Sequence, residues 1–362
     1  MAGHFLLSKG ARDFSLADAE RLTDKQVHAW FAVARWGSKD VQTCPSCGHM
    51  ASHFWLPKRN QWRCRSIECA HHFSVTSGTV FHDHKLPLKK ILQAMVIFAS
   101  NVKGISAAAL GRLIKVAYMT AYVLLHKIRE SIMLGANEAP MEGEVQMDGA
   151  HVSGKIRKPR VKKPANKTQA RDKLPHSAFP KHPNRRIVMV IRQVAPEKGK
   201  GAVRSIVDIV QAESEEAIGK LAKKYIKEGA TVMTDELGGY NILGMNFEHR
   251  TVNHTREFST DDGVNNNQAE SFFARVRRFI IGQVHRITPV YMKQYMNEMV
   301  WREDTRRERQ VVMINNLLQL TTSAPPSDLW RGYWRGYYGV VHPNQRKQLE
   351  RIRNSEKPQW SA

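Results

Sequence analysis

The sequence predicts a multidomain α+β protein, and three observations predict it. All four cysteines fall between Cys44 and Cys69, apolar residues keep helical spacing from Leu86 to Ile132, and from Gly143 onward short apolar strands give way to amphipathic helices. At 362 residues the chain exceeds what one compact core usually organises, so two or three domains are expected.

Residues 1–40 read as one amphipathic helical segment, with Leu22, Val27, Trp30, Phe31, Val33 and Ala34 near helical spacing and Gly37 stopping the pattern. Residues 41–84 hold the cysteines, which alternate with Trp55, Trp62 and Phe73 in a turn-rich, short-stranded pattern. Residues 85–138 read as three helices. Leu88, Ile91, Leu92 and Met95 form the first face, and Ser106 N-caps a second helix carrying Leu110, Leu113 and Ile114. A third, after a break at Lys115 and Val116, buries Ala121, Leu124, Leu125, Ile128 and Ile132. Three helices with a tight second turn are helix-turn-helix-like. Tyr118, Thr120, Lys127 and Arg129 lie off the apolar stripe of the third and face either a DNA groove or, in an ordinary bundle, solvent.

Residues 139–310 read as strands near 143–148, 186–194 and 203–210, a helix over 215–226, a strand at 231–234 and a helix over 267–279. Strand, strand, strand, helix, strand, helix is the order of an RNase H-like α/β core. Between the first two strands, residues 155–186 form a basic stretch with Pro159, Pro164, Pro175, Pro180 and Pro183, which predicts a loop or arm. Residues 311–362 read as a basic, aromatic C-terminal tail running from Trp330, Trp334 and Tyr338 to Arg351 and Arg353.

The charge is lopsided, with 56 Lys and Arg against 33 Asp and Glu, for a formal net charge of +23. Such an excess draws polyanions, because each phosphate neutralised releases condensed counterions. Nucleic acid is the partner that fits. A membrane is the rival polyanion, but no apolar run approaches the roughly 20 residues of a spanning helix, and Met1–Gly10 lacks the apolar core of a signal peptide. The expectation is a soluble, cytoplasmic protein.

Four cysteines confined to one short region staple a long chain poorly and build one local site well. Cys44-Pro45-Ser46-Cys47-Gly48, followed by Cys64 and Cys69, supplies the four thiolates of a tetrahedral structural zinc ion, with Gly48 where the backbone must turn under the sulfurs. His71 or His72 in place of Cys69 is the alternative. Four protein ligands close such a site, so a ribbon of this kind holds DNA and does not cut it.

Asp148 and Asp235 each end a predicted strand, where ligands gather in α/β sheets. Glu270 lies on the helix that follows, sharing a face with Asn267 one turn before it and Arg277 two turns after. Phosphodiester chemistry at neutral pH is served by two divalent cations, Mg²⁺ or Mn²⁺, bridged by a shared carboxylate. In that arrangement Asp148 bridges, while Asp235 and Glu270 complete the two shells. In the alternative, the aspartates only finish strands and Glu270 pairs with Arg277 or Arg278.

These residues resemble zinc-ribbon transposases of bacterial insertion sequences, specifically the insertion-sequence-1595 family with its ISXO2-like DDE catalytic domain. The resemblance runs from about Cys44 to Arg307. It rests on the cysteine block, Trp62-Arg63-Cys64, Phe73 through Phe81 and Lys85-Leu86-Pro87-Leu88, then Val145-Gln146-Met147-Asp148 with Gly154-Lys155. Thr234-Asp235 with Tyr240, His254 with Glu257-Phe258, Asn267-Gln268-Ala269-Glu270-Ser271-Phe272 and Glu298 through Arg302 close it. It implies a third catalytic position at Asn267 beside the chemically better acid Glu270, and a phosphate-contacting cation at Arg277 where the family has Lys. The chain also departs from the family's pattern at Gly149, Asn265 and Asp304. The resemblance implies binding to terminal inverted repeats, strand cleavage at the element's ends, joining to target double-stranded DNA, and assembly as a homo-oligomer on DNA. A catalytically inactive DNA-binding regulator, or a metal-dependent nuclease that never joins, are the alternatives.

Overall fold

The computed structural model describes residues 5–152, 186–197, 200–252, 265–331 and 333. Two compact units divide the chain. The basic stretch expected within residues 155–186, the His254 and Glu257-Phe258 motif, and the tail beyond Tyr333 lie outside the described residues, apart from Arg186.

The first unit takes the chain through residue 137 and again from residue 294. It opens with α1 (Leu16–Arg21) and α2 (Asp24–Trp36), two helices where the sequence predicts one. The reason is local. Thr23 accepts from the Gln26 backbone N–H while the Gln26 side chain takes the Thr23 N–H, a capping box that starts α2 afresh.

Five short strands follow: β1 (Gln42–Thr43), β2 (Met50–Ala51), β3 (Phe54–Leu56), β4 (Gln61–Arg63) and β5 (His72–Phe73). The first two pair as one hairpin, and β3, β4 and β5 form an antiparallel sheet. The ribbon is no separate domain. Trp62, Phe73, Cys44 and Cys64 share one continuous apolar core with Phe31, Phe98 and Leu125 of the helices. So small a sheet cannot bury its own aromatics, so Trp36 of α2 meets Trp62 and Phe73 edge-on, and Arg35 donates to the carbonyls of Ser74, Val75 and Ser77.

Helices α3 (Leu88–Ser100), α4 (Ala107–Leu113) and α5 (Tyr118–Leu134) come next. Ser106 caps α4 as expected, and α4 and α5 meet at 111° across a break at residues 114–117. The α5 stripe of Ala121, Leu124, Leu125, Ile128 and Ile132 is buried as predicted, whereas Leu113 of α4 faces solvent.

Arg129 departs from its expectation. It is buried, not groove-facing, because α8 (Met292–Asp304) covers that side of α5 and sets Glu298 against it, with Arg129 Nε donating to Glu298 Oε2 at 2.5 Å. Arg302 holds the other carboxylate oxygen and also donates to the carbonyls of Phe98 and Asn101. Burial pushes Glu298 up, but the two guanidiniums more than offset this and keep it ionised. Removing one partner of such a buried group typically costs about 3–5 kcal/mol, because the remaining charge has no compensation.

The segment read as a tail begins with α9 (Gln310–Ser323), whose Ile314, Leu317 and Leu318 complete the core between α2, α3 and α5. Trp330 is buried too, stacked on the ring of His126 at 4.3 Å. Among the described residues, no single helix is long and apolar enough to cross a membrane.

The second unit holds a mixed five-stranded sheet in which β7 (Ile187–Val194) runs antiparallel to both its neighbours, β6 (Glu144–His151) and β8 (Ala202–Val210). After α6 (Glu215–Tyr225), β9 (Thr231–Thr234) pairs parallel with β6, and β10 (Glu248–Thr251) pairs parallel with β9. The spatial order is β10-β9-β6-β7-β8. Because side chains alternate along a strand, Val145 and Met147 face the α6 side, where Ile218, Leu221 and Tyr225 bury them. Gln146 and Asp148 share the other face, against which α7 (Asn267–Phe279) packs Phe272, Phe273 and Val276.

Candidate active site and zinc ribbon

The ribbon cysteines come together. Among the described residues, the thiols of Cys44, Cys47, Cys64 and Cys69 are the one group of ligand atoms all within 4.8 Å of one another, and neither His71 nor His72 belongs to it. Two similar backbone turns present them. Gly48, in left-handed backbone at φ +74°, closes the first by donating to Cys44 O at 2.9 Å, and in the second Ala70 N–H reaches Ser66 O at 2.9 Å. Buried His53 ties the turns together, its ring accepting from Arg65 N–H at 3.0 Å and lying 3.2 Å from His49 O. With one ring nitrogen accepting, the other carries the proton and donates. Four such sulfurs around a point are the donor set of a structural zinc ion.

The parallel pairing of β6 and β9 brings Asp148 and Asp235 side by side, although among the described residues the acids do not close into a ligand group as the cysteine thiols do. The parallel pairing sets Glu144 level with Thr231 and Gln146 level with Met233, and the same register carries Asp148 level with Asp235, just past the end of β9. The expectation that Asp148 ends its strand is corrected: β6 continues to His151 because its pairing with β7 continues, so Asp148 lies within the strand opposite Val190, and only Asp235 follows a strand end. Adjacent strands run about 5 Å apart, so the two residues are lateral neighbours. One oxygen of each is oriented by the backbone. Gly149 N–H donates to Asp148 Oδ1 at 2.8 Å and Leu237 N–H to Asp235 Oδ1 at 3.1 Å. Burial, and then the charges of Asp235, Glu213 and Glu270, push the Asp148 carboxyl up to about 7 against the pull of the Gly149 N–H. Glu270 is thus within electrostatic reach of Asp148. Asn267 and Arg277 lie exposed on the same helix, Asn267 donating its backbone N–H to Asn265 Oδ1 at 3.3 Å.

What fixes α7 is one residue between Asn267 and Glu270. Gln268 donates its backbone N–H to Gln146 Oε1 on β6, its carbonyl accepts from Arg192 Nη1 on β7, and its side-chain oxygen accepts from the Ala202 N–H at the start of β8. Gln146 and Arg192 are each 1% exposed, and Gln146 also donates to Asn265 while Arg192 donates to Ser205. The sequence assigned no role to Gln146, Gln268, Arg192 or Glu213, the first two appearing only within the resemblance motifs. The available signal was a long polar side chain inside an otherwise apolar strand, which must find buried partners.

Two family profiles match the chain: the transposase zinc-ribbon domain over residues 22–72 and the ISXO2-like transposase domain over residues 140–304. No curated protein matches it.

Proposed function

Since the chain belongs to the insertion-sequence-1595 family of transposases, whose zinc-ribbon and ISXO2-like domains it carries, we propose that it binds the terminal inverted repeats of a mobile element, cleaves a strand there and joins the freed end to target DNA. The observation that carries this reading is the parallel register of β6 and β9, which brings Asp148 within β6 level with Asp235 just past β9, with Glu270 close enough to raise Asp148. The order β10-β9-β6-β7-β8, with β7 antiparallel to both neighbours, supports an RNase H-like core. The short break between α4 and α5 and their 111° angle support a helix-turn-helix.

The donor set fits hard divalent cations. Asp148, Asp235 and Glu270 offer carboxylate oxygens, and Asp148 and Asp235 each keep one oxygen without a protein hydrogen bond among the described residues. When bound, Mg²⁺ or Mn²⁺ supplies activation of the attacking oxygen and stabilisation of the leaving one. Asn267 adds an uncharged amide oxygen one turn from Glu270, and Arg277 contacts phosphate. In cleavage, water adds to phosphorus and the 3′ oxygen departs with a proton. In joining, that 3′-hydroxyl attacks a target phosphodiester and displaces another 3′ oxygen, so no energy-rich cofactor is consumed.

DNA is held elsewhere. The net charge of +23 supplies phosphate affinity, and the ribbon exposes Phe54 and Trp55 beside Arg63 and Arg65. Tyr118, Met119 and Thr120 are exposed at the start of α5, where a recognition helix meets base edges. Acting on two element ends requires copies of the chain assembled on DNA, in the cytoplasm where that DNA lies.

The test is Mg²⁺- or Mn²⁺-dependent cleavage and joining of a labelled duplex bearing the element's ends, with Asp148→Asn and Asp235→Ala beside the wild type. Both variants are expected to lose cleavage and joining while keeping end binding, since a metal ligand serves chemistry and not phosphate contact. Cleavage retained by Asp148→Asn overturns the site. Binding by the wild type without chemistry makes the protein a regulator, and cleavage without joining makes it a nuclease.

A further inference from the structure

Glu213 is a carboxylate that the proposed chemistry has not used. It lies half-buried in the turn between β8 and α6, where fully buried Tyr240 donates its hydroxyl to Glu213 Oε1 at 2.7 Å. Position 149 accommodates it: a Cβ there would collide with Oε1 and Cδ of Glu213. The glutamate carboxyl therefore rests against the backbone of β6 one residue beyond Asp148.

Helix capping does not account for it, because the Ser214 side chain caps α6 by accepting from Ala217 N–H. Nor does an ion pair. Among the described residues its one hydrogen-bond partner is Tyr240, on one oxygen, so Oε2 is left without a donor. An acid held among other acids by a dedicated hydrogen bond and a missing side chain is unfavourable until a cation joins it. Its geometry matches that of Asp148 and Asp235, with one oxygen oriented by a donor and the other open.

We propose that Glu213 is a further ligand of the divalent-cation site of Asp148, Asp235 and Glu270, and that Tyr240 is the positioning residue that fixes it. This rests on the metal-dependent reading above. Tyr240 and Gly149 then serve one purpose: the first orients the carboxylate, and the second leaves the space in which it reaches the strand.

The test is Mn²⁺ binding to the full chain, read from the paramagnetic resonance signal of free Mn²⁺, for the wild type, Glu213→Gln, Tyr240→Phe, Gly149→Ala and Asp148→Asn. Gln keeps the shape of Glu213 and still accepts the Tyr240 bond, so thermal unfolding is expected to be unchanged. Glu213→Gln should weaken Mn²⁺ binding by about tenfold or more, and Tyr240→Phe by up to about tenfold. Gly149→Ala should reproduce the loss with every acid in place, by pushing Glu213 aside. If Glu213→Gln and Gly149→Ala bind as the wild type does while Asp148→Asn does not, the proposal is overturned and the site survives. If Asp148→Asn also binds normally, the metal-dependent reading fails and takes the proposal with it.

Discussion

In the proposed metal site a proton and a cation compete for Asp148, and its surroundings favour the proton. Burial first, and neighbouring acids next, raise its carboxyl from an ordinary value of 3.8 to about 7. The cation-free fold therefore holds the proton more tightly than the unfolded chain does. The stabilisation this gives is complete at low pH and is lost as pH rises through about 7. Cation binding has the opposite sign, since it needs the carboxylate. Mn²⁺ affinity is expected to fall about tenfold per pH unit below the raised value and to level off above it. Calorimetric titrations across that range, in buffers of different ionisation heat, would show proton release, and a flat profile would remove Asp148 from the ligand set. At this scale the sequence was legible where chemistry and local pattern coincide: Asp148 and Asp235 stand out as acids beside apolar strand residues, although β6 runs on past Asp148 to His151 and only Asp235 follows a strand end. Glu213 did not, because a glutamate in a polar turn looks solvated until the strand it touches is known. Arg129 was misplaced for the same reason. Periodicity defines one buried face of a helix, and only the tertiary arrival of Glu298 creates a second.

The element that most controls the candidate site is α7, and its sequence boundaries were readable to the residue from apolar spacing alone. Its attachment was not, because the tethers from Gln268 to three strands, two through its backbone and one through its side chain, leave no periodic trace. Gln146→Leu removes two of the bonds that hold the start of this helix to β6. The variant is expected to lower cleavage by about 10- to 100-fold, a range seen when supports of metal ligands are removed, with end binding unchanged. The strand itself should persist, at a cost of about 1–3 kcal/mol for the donors left unsatisfied. Denaturant unfolding and single-turnover cleavage measured together check this, and full activity in the variant would mean α7 is held by its apolar face alone. β10 escaped the sequence reading because Glu248-His249-Arg250-Thr251 has no apolar alternation; it exists through parallel pairing with β9.

At the scale of the molecule, the sequence indicated the order of parts but not which parts share a core. The ribbon and its neighbouring helices were expected as separate domains, yet both depend on apolar surface supplied by the other and by α9. Residues 1–137 alone should therefore fail to give a cooperative thermal transition even with zinc present. The same fragment joined by a short linker to residues 294–331 should recover one, and a cooperative transition in the fragment alone would contradict the shared core. The two long stretches that build most of the first unit, through residue 137 and from residue 294, stand on either side of the main stretch of the second in the chain. That arrangement has a consequence during translation. A ribosome must translate the whole second unit and then α9 before the half proposed to hold DNA can close, so a nascent product that stops short of α9 has no means of occupying the element's ends.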